Sequence, residues 1–400
     1  MPEASQDAGA GGQGGRVLVA LIVGQLGLHS AMAGLRMAAP LQTLREGYSA
    51  WTVGLLMALF AAAPVVLALH AGRLADRLGY HRPVRIASAL CICGMLLAVA
   101  STVLSGWAHF VLLCLAATLA GCAANMGMLT IQRTAGLAAR DSTDRMRIFS
   151  WLGVAPSFAN VVGPVTVGFM IDLAGFPMAY AVLLVLPVAT LWSARQVPVT
   201  PPAPVQPGAA GGTAWDLLQA PGMKRLLGIN WLLSMCWDVH AFAVPILGHQ
   251  SGFSATTIGL VLGTFTLSVS GVRLIVPMVA HRLDEVVVLR SAMVATGLVF
   301  AVYPIARTPV LMGCCAVLLG LSLGAVQPMI MTTLHHLTPD HRHGEALAFR
   351  SMTINASSTL MPLLFGALGT VVGASVLFWG VGAAVGAGSW MARRMTAVRT

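Results

Sequence analysis

The chain has 400 residues, of which 57% are hydrophobic and only 9% charged, with a formal net charge of +10. An average soluble domain carries about 25% charged residues, so a water-facing surface cannot be covered here, and lipid is the solvent that remains. In that solvent the positive excess marks loops at a membrane face rather than a nucleic-acid surface, and the seven cysteines, all in apolar runs, read as small buried hydrophobes rather than a disulfide framework or a zinc site.

Residues 1–15 are polar and Gly-rich, a short cytoplasmic tail. A run of roughly 20 apolar residues crosses hydrocarbon as a helix whose backbone groups bond internally. With Gly, Pro and charge clusters as punctuation, the spacing predicts six such helices over 17–44, 51–71, 84–104, 107–132, 148–171 and 176–194. The first is longer than the core of a signal peptide, about 7 to 15 residues, and is read as a retained span. Gln196–Gly222 follows, with five prolines between Val197 and Pro207 and then Gly208–Gly212. A helix cannot continue through that composition, which makes it a linker. Six further helices are predicted over 224–248, 254–280, 286–305, 308–334, 346–371 and 373–392. The layout is a tail 1–15, a six-helix bundle 16–195, a linker 196–222, a second bundle 223–394 and a tail 395–400.

Loop charge supports an even number of crossings. On the side shared by both termini the loops and span ends hold 19 of the 23 Lys and Arg; the opposite side has Arg45 and Arg307, and Arg36 and Arg273 fall within spans. The positive-inside rule then makes both termini cytoplasmic, in a bacterial-type inner membrane. The two bundles are also related in sequence. A shift of 205 residues lays Gly47-Tyr48-Ser49-Ala50 on Gly252-Phe253-Ser254-Ala255, and Gly54-Leu55 on Gly259-Leu260; a shift of 198 lays Pro164 and Gly168 on Pro362 and Gly366. An even number of helices per copy keeps both copies in one orientation, a duplication about an axis along the membrane normal with a substrate site between the halves.

The segment after span two, Gly72-Arg73-Leu74-Ala75-Asp76-Arg77-Leu78-Gly79-Tyr80-His81-Arg82, resembles the G-x-x-x-D-R-x-G-R-R signature of the major facilitator superfamily, with Tyr80 and His81 in place of the basic pair. Span five carries Gly153, Asn160, Gly163-Pro164 and Gly168, similar to the G-x-x-x-G-P-x-x-G-G motif of that superfamily's drug/proton antiporters. Span four, Cys122-Ala123-Ala124-Asn125-Met126-Gly127, lacks the arginine of the R-x-x-Q-G pattern found in many proton antiporters. The resemblance implies an all-α membrane protein of twelve helices in two pseudo-symmetric bundles, working by alternating access. It also implies that Gly72, Asp76, Arg77, Gly79 and Arg82 latch one side against Glu345 and Arg350 at the start of span eleven.

Asp238 is the charge that says most. It lies 14 residues beyond Lys224, deep in span seven, where a carboxylate costs about 2.5 to 3.5 kcal/mol on insertion scales and must face protein or a water-filled cavity. Arg36 falls in the matching stretch of span one, where Ala33 is the repeat-mate of Asp238. The two charges either bind an ionised substrate or exchange a proton, or else form a structural salt bridge. Gln25, His29, Asn125, Trp151, Trp237, His240, Gln327 and Asn355 are further polar or amphipathic groups within spans. Singly such groups are interhelical hydrogen bonds; as a set they are candidates to line the cavity. The histidines around His335–His343 have no acidic or Cys cluster to complete a metal set.

The expected function is proton-coupled efflux of a small drug-like or amphipathic metabolite, with import of a small organic anion as the alternative and a transport-inactive receptor or assembly protein as the second. No cofactor and no enzymatic nucleophile–base pair are expected. The partners are a small-molecule substrate, protons and the lipid bilayer, without nucleic acid, and the chain is expected to be a monomer.

Overall fold

The computed structural model describes residues 3–138, 142–199, 214–279, 284–338 and 343–393, and among them every regular element is helical. In chain order these are α1 (Glu3–Arg45), α2 (Ala50–Leu78), α3 (His81–Ser101), α4 (Gly106–Ala138), α5 (Ser142–Leu183), α6 (Val185–Ala194), a 3-10 turn (Ala214–Gln219), α7 (Met223–Gln250), α8 (Ala255–Val279), α9 (Glu285–Val302), a second 3-10 turn (Tyr303–Ile305), α10 (Pro309–Gly324), α11 (Val326–Leu337) and α12 (His343–Arg393). Among the described residues nine stretches are long and apolar enough to cross a membrane. Two of them, Trp151–Ala194 and Phe349–Ala392, hold two crossings each, because Gly175 (φ 78, ψ 178) and Gly373 (φ 80, ψ 162) break α5 and α12 in a region open only to glycine. With α2, whose apolar part is Ala50–Val65, the crossings come to twelve.

The breaks fall where the sequence repeat puts them. Gly175 and Gly373 are 198 residues apart, and the turn glycines Gly47 (φ 82) and Gly252 (φ 73) are 205 apart. Two irregularities are not repeated: the sixth crossing is interrupted at Leu184 between α5 and α6, and the tenth is divided at Ala325 between α10 and α11. Pro328 lacks the N–H that would bond to the carbonyl of Gly324, so the helical ladder is interrupted there.

The chain divides into two compact units, Met1–Ala39 with Leu59–Gln206, and Pro40–Ala58 with Pro207–Thr400. In the first, α1 packs by its glycines. A Cβ on Gly34 would meet Val167 at 2.9 Å and Leu183 at 2.8 Å, and one on Gly27 would meet the carbonyl of Leu186 at 2.7 Å. Thr190 adds an interhelical hydrogen bond from its Oγ1 to the Gly24 carbonyl, 3.1 Å. On α4, Gly121 lies against the Phe60 backbone of α2. In lipid, close backbone approach of this kind replaces the hydrophobic drive between helices.

In the second unit α7 is the buried element: 72% of its apolar window is buried, against 39% for α8. α12 lies along it, with Leu232 at 2.7 Å from a Cβ on Gly388 and Met391 at 3.5 Å from one on Gly228. Gly54, at the start of α2, meets Gly366 of α12, where a Cβ would come within 2.9 Å of the Gly366 Cα.

Gly121→Val and Gly163→Val are expected to destabilise the purified full-length protein by about 1 to 3 kcal/mol, the usual cost of overpacking. Gly153→Ala, where an added Cβ meets nothing within 4 Å, is expected to be neutral. Thermal unfolding in detergent checks the contrast.

Candidate functional site

Asp238 is 3% exposed on α7, and both carboxylate oxygens are met by α12. Ser357 Oγ donates to Oδ2 at 2.6 Å and Ser358 Oγ donates to Oδ1 at 3.1 Å. An ionised carboxylate only accepts, so two hydroxyl donors suit it. Helical Ser and Thr hydroxyls commonly bond to a carbonyl one turn back. Ser234 does so to Asn230 at 2.8 Å and Thr353 to Phe349 at 2.9 Å. Ser357 and Ser358 instead reach across to another helix.

His240 is two residues on, and at 3.6 residues per turn its side chain leaves α7 on nearly the opposite side. Its Nε2 is 3.0 Å from Tyr303 Oη at the end of α9. Tyr303 stacks on Phe378 of α12 (4.7 Å, 6°), and Phe265 of α8 lies 4.3 Å from the His240 ring and 4.7 Å from that of Trp237. Asp238 and His240 therefore serve two separate constellations. Trp237 is half-buried, whereas Gln327 and Asn355 are exposed.

In the first unit, Gln25, His29 and Arg36 share one face of α1 by their spacing of four and seven. Other faces of that helix are occupied: Gly27 and Gly34 by α5 and α6, and Leu28 by Gly127 of α4. Gln25 is 2% exposed, and neither end of its amide has a hydrogen-bond partner among the described residues. Asn125 is half-buried with its Oδ1 equally unpartnered, and Trp151 is exposed. Asn160 is turned to its own helix, its Nδ2 donating to the Pro156 carbonyl at 2.9 Å. Gly163, Pro164 and Gly168 are buried, and a Cβ on Gly163 would meet the Gly34 nitrogen of α1 at 2.7 Å.

For the expected latch, Gly79 (φ 68) makes the turn between α2 and α3, Arg77 and Arg82 are exposed, and Arg350 is half-buried. Gly72, Asp76 and Glu345 lie outside the residues whose side chains are described.

Sequence reasoning missed Ser357, Ser358, Tyr303 and Phe265. The polar run Asn355-Ala356-Ser357-Ser358-Thr359 was the available signal for the first two; nothing local marks the other two.

The sequence model of the Major Facilitator Superfamily matches residues 21–229 and 226–398. No curated protein matches the chain in sequence. Among solved structures, a POT family transporter in complex with a thioalcohol-conjugated peptide is similar at TM-score 0.74 and 12% identity, covering 96% of each chain. The nucleoside transporter NupG is similar at 0.72 and 13% identity, covering 95% of this chain and 99% of its own. A bacterial metal transporter is similar at 0.70 and 15%, covering 95% and 98%. At these identities the likeness establishes the fold.

Ser357→Ala is expected to cost about 1.5 to 3 kcal/mol, the worth of a hydrogen bond to a charged group, and Ser357→Thr to restore most of it. Tyr303→Phe, which leaves His240 Nε2 buried without its partner, is expected to cost about 1 to 3 kcal/mol. Both are read from chemical or thermal unfolding of the full chain.

Proposed function

The chain belongs to the major facilitator superfamily, and on that premise we propose a secondary active transporter working by alternating access, coupled to protons and exporting a small drug-like or amphipathic molecule. The two bundles 16–195 and 223–394 are its moving parts, and Asp76 with its neighbours latches one side. Both termini are placed in the cytoplasm of a bacterial-type cell by loop charge.

The observation that carries the coupling is Asp238 with its two serines. A carboxyl group that changes charge at membrane depth needs neighbours that suit both forms. Arginine or lysine suits the ionised form alone. A serine hydroxyl donates to the carboxylate; when the carboxyl is protonated, the serine oxygen accepts its proton while the serine's own hydrogen turns back to the carbonyl one turn earlier. Ser234 and Thr353 already bond in that second manner.

Export is supported by the span-five motif, whose Gly163 seats α5 tightly on α1. Import of a small organic anion is the second reading, favoured by Arg36 on the α1 face that also carries Gln25 and His29.

Proteoliposomes with an imposed pH gradient separate the readings, with ethidium as the drug-like probe and benzoate as the organic anion. Proton-driven ethidium export that loses its dependence on the gradient in Asp238→Asn is expected. Benzoate uptake lost in Arg36→Ala would favour the second reading instead.

A further inference from the structure

Tyr80 and His81, where the superfamily signature has a basic pair, part company in the structure. Tyr80 is 2% exposed and packs into the first unit's core with Leu21, Val84 and Ile131. His81, edge-on to it at 5.4 Å, opens α3 and lines a cavity of about 390 Å³ between α3 and α6.

One end of that cavity is basic and the other apolar. His81, Arg85, Ala89 and Ile92 follow one another at helical spacing down a single face of α3, and Leu191, Ala194 and Arg195 line the α6 side. His81 and Arg85 lie in the first turns of α3, whose N-terminal dipole also favours an anion, and Arg195 lines the cavity from the end of α6. No acidic side chain among the described residues lines the cavity. Among the described residues none of the three has a carboxylate partner, and His81 Nε2 is buried without a hydrogen bond. Around the cavity Ile86 and Leu96 of α3 and Val185, Val188 and Trp192 of α6 are exposed, a surface that acyl chains cover in a bilayer.

We propose that this groove binds one anionic phospholipid, its phosphate held by His81, Arg85 and Arg195 and the start of one acyl chain lying along Ala89, Ile92 and Leu191. A zwitterionic lipid carries an ammonium group that Arg85 and Arg195 repel, so the groove discriminates by headgroup charge. A free anion satisfies the basic end alone and leaves the apolar end unfilled. The bound lipid ties the start of α3 to the end of α6, and so stiffens the outer edge of the first unit.

The full chain, delipidated in detergent, is titrated with dioleoyl phosphatidylglycerol and with dioleoyl phosphatidylcholine, binding being read by native mass spectrometry and by Tm. The phosphatidylglycerol complex is expected to be the tighter. Arg85→Gln and Arg195→Gln each weaken it about fivefold, from roughly 1 kcal/mol per basic residue, and leave phosphatidylcholine binding unchanged. Ala89→Trp, which fills the apolar end at an exposed position, weakens it without removing charge. Arg82→Gln, exposed beside the groove but not lining it, has no effect. Equal binding of the two lipids, an Arg82→Gln effect as large as that of Arg85→Gln, or stabilisation by inorganic phosphate equal to that by phosphatidylglycerol overturns the proposal.

Discussion

A backbone amide in hydrocarbon has no water to bond, so each crossing must satisfy its polar groups within itself. That constraint makes every regular element of the described residues helical. It also removes the usual force between helices, since lipid is as apolar as leucine. What holds the helices together within each unit is close backbone approach. Gly34 on Val167 and Leu183, Gly121 on Phe60, and Gly54 on Gly366 all place helices at distances where a Cβ would collide. Glycine at these positions costs helix propensity, about 1 kcal/mol relative to alanine, and returns it as contact area.

The same scarcity of water gives each buried polar group a consequence. Asp238 and His240 lie two residues apart on α7, yet one bonds to α12 and the other to the end of α9. His240 is enclosed by Phe265 and Tyr303, which fits an element that holds α7, α8 and α9 in register. Asp238 accepts from two hydroxyls on α12, Ser357 and Ser358, and a hydroxyl can reverse the direction of its bond. Of the two, Asp238 is the group to which the proposed function assigns the proton, because its serine partners can bond to either form of a carboxyl.

Much of the fold is written in the local sequence. Apolar runs mark the crossings, and the internal repeat extends to single backbone conformations, as with Gly47 and Gly252 or Gly175 and Gly373. The division of the tenth crossing has a local cause in Pro328, visible once the missing N–H is considered. The site is less legible because its bonds are long-range. Ser357 is 119 residues from Asp238, and no local pattern joins them. Polarity within a span also did not indicate where a side chain points: Gln25 is buried, Gln327 and Asn355 are exposed, and Asn160 is spent on its own helix. Tyr80 and His81, read first as a departure from a motif, separate into a core residue and a groove residue.

In the proposed mechanism the Asp238 carboxyl takes up and releases a proton between the two serines. Infrared difference spectroscopy of the full chain in lipid, titrated across the working pH range, observes that group directly. A protonated carboxyl C=O band is expected that appears as pH falls, vanishes in Asp238→Asn and shifts in frequency in Ser357→Ala. A carboxyl that stays in one protonation state across that range, with no band lost in Asp238→Asn, would contradict it.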